Sequence, residues 1–298
     1  LRQLVRLNAE HPAFADGWLV HGLLLQETGQ LTQAEQKLRK HVELAQASRD
    51  KEAQTGLAEA LMALAQMAQR QGQLPQAEQW LAQVPPDADP IKLASRRAGL
   101  LSQQGRMEEA RQVLTQIKTT NAEQATRKTL AQSMWMRDNK RWEEAHTLLK
   151  QALNAQPQNT DLMSEMAMVS EKLERFDEME SVLRELMKRK PEDPHAFNAL
   201  GYSLADRSLR LDEARQLITQ ALKLAPDDAY IQDSLGWVAF RQGQHAEALK
   251  ILQAAYKARP DAEIAAHLGE VLWAMGQRQQ AGTVWREGLR LKADNETL

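Results

Sequence analysis

Small apolar residues recur along this chain at a nearly constant interval. Seven alanines and one methionine each follow another small residue by twelve positions, or by thirteen in one case. Neighbouring members of the series lie 33 to 35 residues apart, except for the first two, which lie 43 apart. The series is Ala34, Ala77, Ala110, Ala145, Met179, Ala214, Ala248 and Ala281, and the preceding small residues are Gly22, Ala65, Ala98, Ser133, Ala167, Gly201, Gly236 and Gly269. This pattern predicts eight units of two helices that cross closely where both side chains are small.

Helix-breaking residues mark the ends of these helices. A glycine accepts the left-handed backbone of a tight turn without steric cost, and a proline cannot continue a helix. The turn glycines are Gly29, Gly72, Gly105, Gly243 and Gly276, and the closing prolines are Pro12, Pro157, Pro191, Pro226 and Pro260. A unit of about 34 residues with these marks is typical of the tetratricopeptide repeat. We therefore predict an all-α fold, a right-handed superhelical solenoid whose first helices line the concave surface.

The register of the repeats divides the chain into four segments. Residues 1–12 fit the second helix of a truncated repeat, which suggests a fragment of a longer array. Residues 13–90 hold two repeats, residues 91–194 hold three, and residues 195–298 hold three more. About nine extra residues near "VELAQASRDKEAQ" predict lengthened helices or an excursion, because they amount to roughly two and a half helical turns. One extra residue in "ADRSLRLDEA" predicts a looser turn.

Composition and motifs give no support for chemistry at this array. The 38 basic and 40 acidic residues leave a net charge of −2, which provides no electrostatic argument for nucleic acid. No apolar run approaches the ~20 residues that span a bilayer. Cysteine is absent, which removes thiolate catalysis and cysteine zinc sites. His21 and His41 fall on the two helices of one unit, but no third ligand accompanies them. We expect no catalytic residue, no cofactor and no metal, and therefore not an enzyme.

The helical period predicts which side chains of the first helices face the concavity. They stand three positions before the small residue and one, four and five positions after it. In the last three repeats these positions place four aromatic side chains beside polar ones, and a methionine and an arginine hold the matching positions earlier. The predicted partner-binding residues are Asn198, Tyr202, Asp206, Asp233, Trp237, Phe240, Arg241, Glu270, Trp273, Met134 and Arg137.

Large aromatic residues on a groove open to solvent serve recognition, because they supply contact area at little cost in entropy. The alternative is that they pack across the seam between repeats. Trp80, Trp142 and Trp285 lie on second helices, and we interpret them as structural. On the recognition hypothesis, Trp237→Ala weakens partner binding while the repeats stay stacked.

Three phrases near the carboxyl end are more specific than the general repeat. "NALGYSLADR", "QDSLGW" and "AAHLGEVLW" lie within residues 195–285. This region resembles the end of a proteobacterial family of tetratricopeptide lipoproteins. The resemblance implies a location on the periplasmic face of the outer membrane, with a lipid anchor upstream of Leu1. It also implies the role of an adaptor that brings cell-wall hydrolases to a carboxyl-terminal processing protease, with Tyr202, Trp237, Glu270 and Trp273 in its groove.

Three hypotheses of function follow from these observations. The first is a non-enzymatic adaptor that tethers the protease and presents its protein substrates. The second is a structural scaffold of another envelope assembly or secretion machine, which self-associates. The third is the substrate-selecting array of an enzyme whose catalytic domain lies upstream.

Overall fold

The computed structural model describes residues 1–48, 54–86, 88–295 and 297–298. All the regular secondary structure in these ranges is α-helical. The helices are α1 (Arg2–Glu10), α2 (Ala15–Glu27), α3 (Leu31–Ala47), α4 (Leu57–Arg70), α5 (Leu74–Ala82), α6 (Pro90–Gln103), α7 (Met107–Thr115), α8 (Ala122–Asp138), α9 (Trp142–Ala155), α10 (Thr160–Lys172), α11 (Phe176–Arg189), α12 (Pro194–Asp206), α13 (Leu211–Leu224), α14 (Ala229–Arg241), α15 (His245–Ala258), α16 (Ala262–Ala274) and α17 (Arg278–Leu291).

The helices form two compact units, Leu1–Ala152 and Leu153–Leu298. Within each unit the most extensive packing joins the two helices of one repeat, as in α2 with α3 or α14 with α15. First helices of successive repeats also touch, as α12 does with α14 and α14 with α16. The all-α repeat solenoid predicted from the sequence is confirmed.

The crossing of the two helices in each repeat depends on small side chains. All eight members of the alanine series are at most 1% exposed. On the facing helix there is no room for more than a hydrogen at several glycines. A methyl group at Gly201 would lie 2.6 Å from Ile218 Cγ1, and one at Gly236 would lie 2.6 Å from Leu252 Cγ. These contacts explain why glycine stands in the middle of α12 and α14.

The turn inside each repeat uses one left-handed residue. The five predicted turn glycines have φ between 74° and 80°. Lys140, Glu174 and Ser208 take the same place in their repeats, with φ between 54° and 58°. The turn with the extra residue contains a second left-handed residue, Arg210, with φ of 44°. The longer turn is therefore accommodated by backbone conformation, and the paired helices α12 and α13 keep their contact.

The first of the extra residues between the first two repeats lengthen helix α3. Helix α3 has 17 residues and ends at Ala47, three more than the 14 of α9 or α11. The predicted lengthening is confirmed for this helix. The rest of the insertion includes residues 49–53, which lie outside the described residues, and α4 begins after Gly56, which has φ of 81°.

Candidate protein-binding face

Three successive first helices of the second unit meet at a buried hydrogen-bonded network. His267 on α16 donates from Nδ1 to Asp233 Oδ2 on α14 over 2.8 Å. On its other side, His267 Nε2 lies 3.2 Å from the hydroxyl of Tyr202 on α12. His267 is 3% exposed and Asp233 is 5% exposed. The network therefore fixes α12, α14 and α16 relative to one another through side chains shielded from water.

Nearby carboxylates shift the pKa of both titratable rings of this network, those of His267 and Tyr202. Burial opposes the charged form of His267, but the hydrogen bond to Asp233 and the nearby carboxylates of Asp233, Glu263 and Glu270 outweigh it, so its pKa is raised. Burial raises the pKa of the Tyr202 phenol, and four carboxylates raise it further. Those four belong to Asp206, Asp233, Glu263 and Glu171. Carboxylates thus act on both titratable rings of the network.

Trp237 does not lie open to solvent as the recognition hypothesis required. Its side chain is 3% exposed, and its ring stacks on the His267 ring at a centroid distance of 4.4 Å and an angle of 22°. Phe240 packs against it at 5.4 Å. The expectation of a solvent-facing position is wrong for Trp237 and for Asp233, because His267 of the next repeat covers both. The seam alternative describes Trp237 correctly.

The other predicted residues of the last repeats keep some exposure. Asn198, Tyr202, Phe240 and Arg241 are half-buried, while Asp206, Glu270 and Trp273 are exposed. Trp273 is 49% exposed and has Trp285 at 5.7 Å and the Arg278 guanidinium at 5.1 Å from its ring. Their role in binding a partner stays a prediction.

Two of the predicted partner-binding residues belong to the first unit. Met134 is exposed and Arg137 is half-buried, both on α8. Trp135, between them, is buried and donates from its indole to Ser102 Oγ over 2.7 Å. The role of Met134 and Arg137 in binding also stays a prediction.

We use the name acidic face for four carboxylates of the second unit together with the exposed ring of Trp273. The carboxylates belong to Glu171, Asp206, Glu263 and Glu270. Asp206, Glu263 and Glu270 are exposed. Burial and the charge of Asp206 raise the pKa of Glu171, although the nearby cations Arg207 and Lys172 act in the opposite direction. Asp206, Glu263 and Glu171 help to raise the pKa of Tyr202, and Glu263 and Glu270 help to raise that of His267.

Four polar atoms on α12 and α14 are buried without a hydrogen-bond partner in the part of the chain that the structure describes. They are the second carboxylate oxygen of Asp233 (Oδ1), the indole nitrogen of Trp237, the amide oxygen of Asn198 and the hydroxyl of Ser203. Such atoms are uncommon in proteins, because burying one without a partner costs about 1–3 kcal/mol. Those of Asn198, Asp233 and Trp237 stand on first-helix positions that the sequence predicted to face a partner, and that of Ser203 does not.

Sequence reasoning missed His267 and Glu263. His267 stands two positions before Gly269, outside the offsets that we used for the concave side, although it lies within "AAHLGEVLW". A histidine between Ala266 and Leu268, in the apolar middle of a first helix, was the available signal. Glu263 is held by the carboxyl end of the chain, since Asn295 and Thr297 donate to its two oxygens over 2.7 and 2.8 Å.

The interpretation of Trp80 and Trp285 on second helices as structural agrees with their contacts. Trp80 is buried, with the Arg39 guanidinium over its ring, and Trp285 donates to the Ala266 carbonyl over 3.2 Å. Trp142 is half-buried.

The two histidines of the first complete repeat are buried and bond elsewhere. Asn8 donates to His21 Nδ1, and His41 Nδ1 donates to the Ala15 carbonyl. Within the described ranges, no three His, Asp or Glu side chains are placed to hold a metal ion.

Comparison with protein families gives matches along most of the chain. The model of the tetratricopeptide repeat matches residues 58–83, 204–263 and 262–287. The N-terminal tetratricopeptide region of Psidin matches residues 92–204. The chain belongs to the tetratricopeptide repeat superfamily. Arrays of this superfamily are scaffolds for protein–protein interaction, and nothing in the matches indicates an enzyme.

A relative of this chain is also a tetratricopeptide repeat protein. "TPR repeat-containing protein PA4667" of Pseudomonas aeruginosa is 38% identical over 207 residues, which is 70% of this chain. This chain spans about a third of that protein, 35% of its length.

Two solved structures share the fold. Yeast Tom70 has a TM-score of 0.66 at 15% identity, covering 90% of this chain and 57% of its own. TTC0263, a thermophilic tetratricopeptide protein of Thermus thermophilus, has a TM-score of 0.52 at 21% identity, covering 57% and 93%. Among the described helices of this array, none is long and apolar enough to cross a membrane.

Proposed function

We propose that this chain is a non-enzymatic adaptor whose acidic face receives a segment of a partner protein. The observation that carries the proposal is the Tyr202–His267–Asp233 network, which ties three successive first helices together behind that face. A face held in one arrangement before binding loses little conformational entropy when a partner docks. The network therefore suits a surface for recognition.

The specific role that we propose is to tether a carboxyl-terminal processing protease in the periplasm, at the outer membrane, and to present cell-wall hydrolases to it. Its support is the resemblance of residues 195–285 to the lipoprotein adaptors described above. Two of the phrases behind that resemblance contain the buried core of the network: "QDSLGW" includes Asp233 and Trp237, and "AAHLGEVLW" includes His267. The residues that carry the resemblance are thus the residues that hold the face in place.

The test is affinity capture from a proteobacterial envelope extract, read by mass spectrometry. Three baits are compared: the wild-type chain, the face variant Asp206→Asn/Glu270→Gln, and the control Glu192→Gln/Asp227→Asn. The control also removes one aspartate charge and one glutamate charge, but from exposed positions in the loops between repeats. We expect the wild type and the control to recover the protease with hydrolases, and the face variant to lose the hydrolases.

Recovery of neither class of protein by the wild-type chain would overturn the protease-adaptor role. Stable oligomers of the purified chain, together with no protease, would instead support the hypothesis of a structural scaffold. Equal recovery of hydrolases by all three baits would place substrate binding away from the acidic face.

A further inference from the structure

We propose that the first unit carries a second docking surface, which binds an acidic segment of a partner polypeptide. The surface is formed by α4 and α6, the first helices of two successive repeats, and we call it the basic face. Its members are Arg70, Lys92, Arg96, Gly99, Gln69 and Gln103. The basic face belongs to the first unit, so the inference goes beyond the proposed role of the acidic face in the second unit. Three features support it: cations without acidic partners among the described residues, amide side chains without partners there, and a glycine that packing does not require.

The helical period and the packing of α4 on α6 bring these side chains together. Lys92, Arg96, Gly99 and Gln103 follow one another at intervals of four, three and four residues, which places them on one side of α6. Gln69 reaches this side from α4, since its Nε2 would lie 3.8 Å from a methyl group at Gly99. The two helices therefore share one surface.

The cations of the basic face have no acidic partner among the described residues. Arg70, which follows Gln69, is exposed, and so are Lys92 and Arg96. No salt bridge and no side-chain hydrogen bond within the described ranges engages any of the three. Partial burial, and then the like charge of Arg70, lower the pKa of the Arg96 guanidinium. Two cations thus lie close enough to repel each other, and an anion between them would relieve that repulsion.

Nearby carboxylates do not neutralise these cations. Asp89, which caps α6, accepts from the Arg127 guanidinium and from backbone amides of its own helix. Glu59, the carboxylate of α4, stands eleven residues before Arg70, which is about 16 Å along the helix. Residues 89–141 include eleven basic and five acidic side chains, although the net charge of the whole chain is −2. Charge complementarity therefore favours an acidic partner for this face and disfavours a cationic one.

Gly99 provides an independent observation. A glycine inside a helix destabilises it relative to alanine, so a mid-helix glycine is expected where packing or a close approach requires one. Packing requires Gly201 and Gly236, but a methyl group at Gly99 would meet only Gln69 Nε2, at an ordinary contact distance of 3.8 Å. Gly99 is half-buried, and its missing side chain leaves room beside Arg96 for a partner backbone to approach α6. The glycine therefore suits a docking surface better than a packing seam.

Two amide side chains fit the face to a polypeptide. Neither Gln69 nor Gln103 makes a side-chain hydrogen bond to the described part of the chain. Each amide group offers donors and an acceptor, so it can bond the main chain of a peptide while the arginines bind its carboxylates. The headgroup of an anionic lipid would engage the cations but has no main chain for the amides. The combination therefore favours a polypeptide over a membrane surface.

The experiment measures the fluorescence anisotropy of a labelled peptide titrated with the purified full chain. The probe is an acetylated and amidated peptide of alternating glutamate and serine, and its matched peptide has lysine in place of glutamate. We expect Arg70→Gln/Arg96→Gln to bind the glutamate peptide about tenfold more weakly than the wild type does, without loss of affinity for the lysine peptide. The control Arg111→Gln/Arg290→Gln removes two arginine charges from other exposed positions and should bind like the wild type.

The variant Gly99→Ala separates binding from folding. Its methyl group occupies room that packing leaves open, so its midpoint of thermal unfolding should equal or exceed that of the wild type. The glutamate peptide should nevertheless bind about fivefold more weakly, because its backbone can no longer approach α6. Circular dichroism of each variant shows whether its helices are intact.

Equal affinity of the wild type and of both arginine variants for the glutamate peptide would overturn the inference. Unchanged affinity of the folded Gly99→Ala variant would overturn the placement of the segment against α6. Vesicles of phosphatidylglycerol and phosphatidylcholine are tested beside the peptides by co-sedimentation. Binding to these vesicles without binding of the glutamate peptide would identify an anionic membrane as the occupant and would also overturn the proposal.

Discussion

His267 Nδ1 lies 2.8 Å from Asp233 Oδ2, although the two residues belong to successive repeats. Both side chains are almost fully buried, so the pair has little water to screen it. Removing one partner of such a pair leaves the other charge without compensation. The contact therefore makes the stability of the last repeats depend on a polar interaction as well as on apolar packing.

We expect His267→Ala to lower the free energy of unfolding of the second unit by about 3 kcal/mol, because Asp233 keeps a buried charge without its donor. Hydrogen exchange of α14 and α16, measured by mass spectrometry on the full chain, checks this. His195→Ala, at an exposed position on α12, is the control and should leave exchange unchanged. Unaltered exchange in the His267 variant would contradict the structural role of the pair.

The stability that His267 contributes should depend on pH. Its pKa in the folded state is raised above the ordinary value of 6.5. A group of this kind stabilises fully below its unfolded pKa, and the contribution is lost as the pH rises through the folded pKa. The advantage of the wild type over His267→Ala in urea denaturation should therefore be largest at pH values below the ordinary pKa and smaller in alkaline solution. An advantage that grows with rising pH would refute this assignment.

Trp237→Ala should destabilise the second unit by about 3–5 kcal/mol, since it removes a large buried side chain and opens a cavity. This reverses the expectation from sequence that the repeats would stay stacked. Trp273→Ala is the matched control: the same substitution on the next first helix, at a ring that is 49% exposed, should cost less than about 1 kcal/mol. Urea denaturation followed by circular dichroism distinguishes the two, and equal costs would show that Trp237 is not the seam residue described here.

Trp237 and Trp273 show how much of the structure can be predicted from the sequence. The interval between alanines predicted the helix pairs and their turns, because every repeat obeys the same local packing rule at its own crossing. The helical period also placed Trp237 and Trp273 on one side of their helices. The helical period gave no information on how much of that side is covered by the next repeat. For Trp237 the covering side chain is His267, which belongs to the following repeat. For the same reason the unsatisfied oxygen of Asp233 could not be predicted from the sequence.

Gly201→Ala should destabilise the second unit by about 1–3 kcal/mol, because the added methyl group would meet Ile218 Cγ1 at 2.6 Å and the Ala214 carbonyl at 3.0 Å. Gly282→Ala on α17 is the control. Its methyl group would meet only the flexible end of Arg286 at 3.4 Å, so the gain in helix propensity should stabilise by about 0.5–1 kcal/mol. Thermal unfolding of both variants checks the opposite signs, and the same sign in both would contradict the close crossing of α12 and α13.

We expect the contribution of Glu180, on the second helix α11, to the free energy of unfolding to be lost in acid. Hydrogen bonds from Arg210 and then Arg184 outweigh partial burial and lower its pKa from 4.5 to about 2. A lowered pKa stabilises above the unfolded value and loses that contribution as the pH falls toward the folded value. Because water screens these partly solvated ion pairs, Glu180→Gln should cost about 1–2 kcal/mol at neutral pH. Its difference from the wild type should shrink between about pH 4.5 and pH 2. Acid titration of both proteins by circular dichroism checks this, with Glu192→Gln as the exposed control.

The hydrogen bond between Tyr202 and His267 joins residues that are two repeats apart along the array. Repeat proteins are commonly described as a one-dimensional lattice in which only adjacent sites interact. Here the first and third sites are coupled directly, and the middle one is enclosed by side chains from both. Opening the third site alone must break this longer bond and uncover Trp237 at the same time. Local unfolding of these repeats should thus proceed as one cooperative step of three sites.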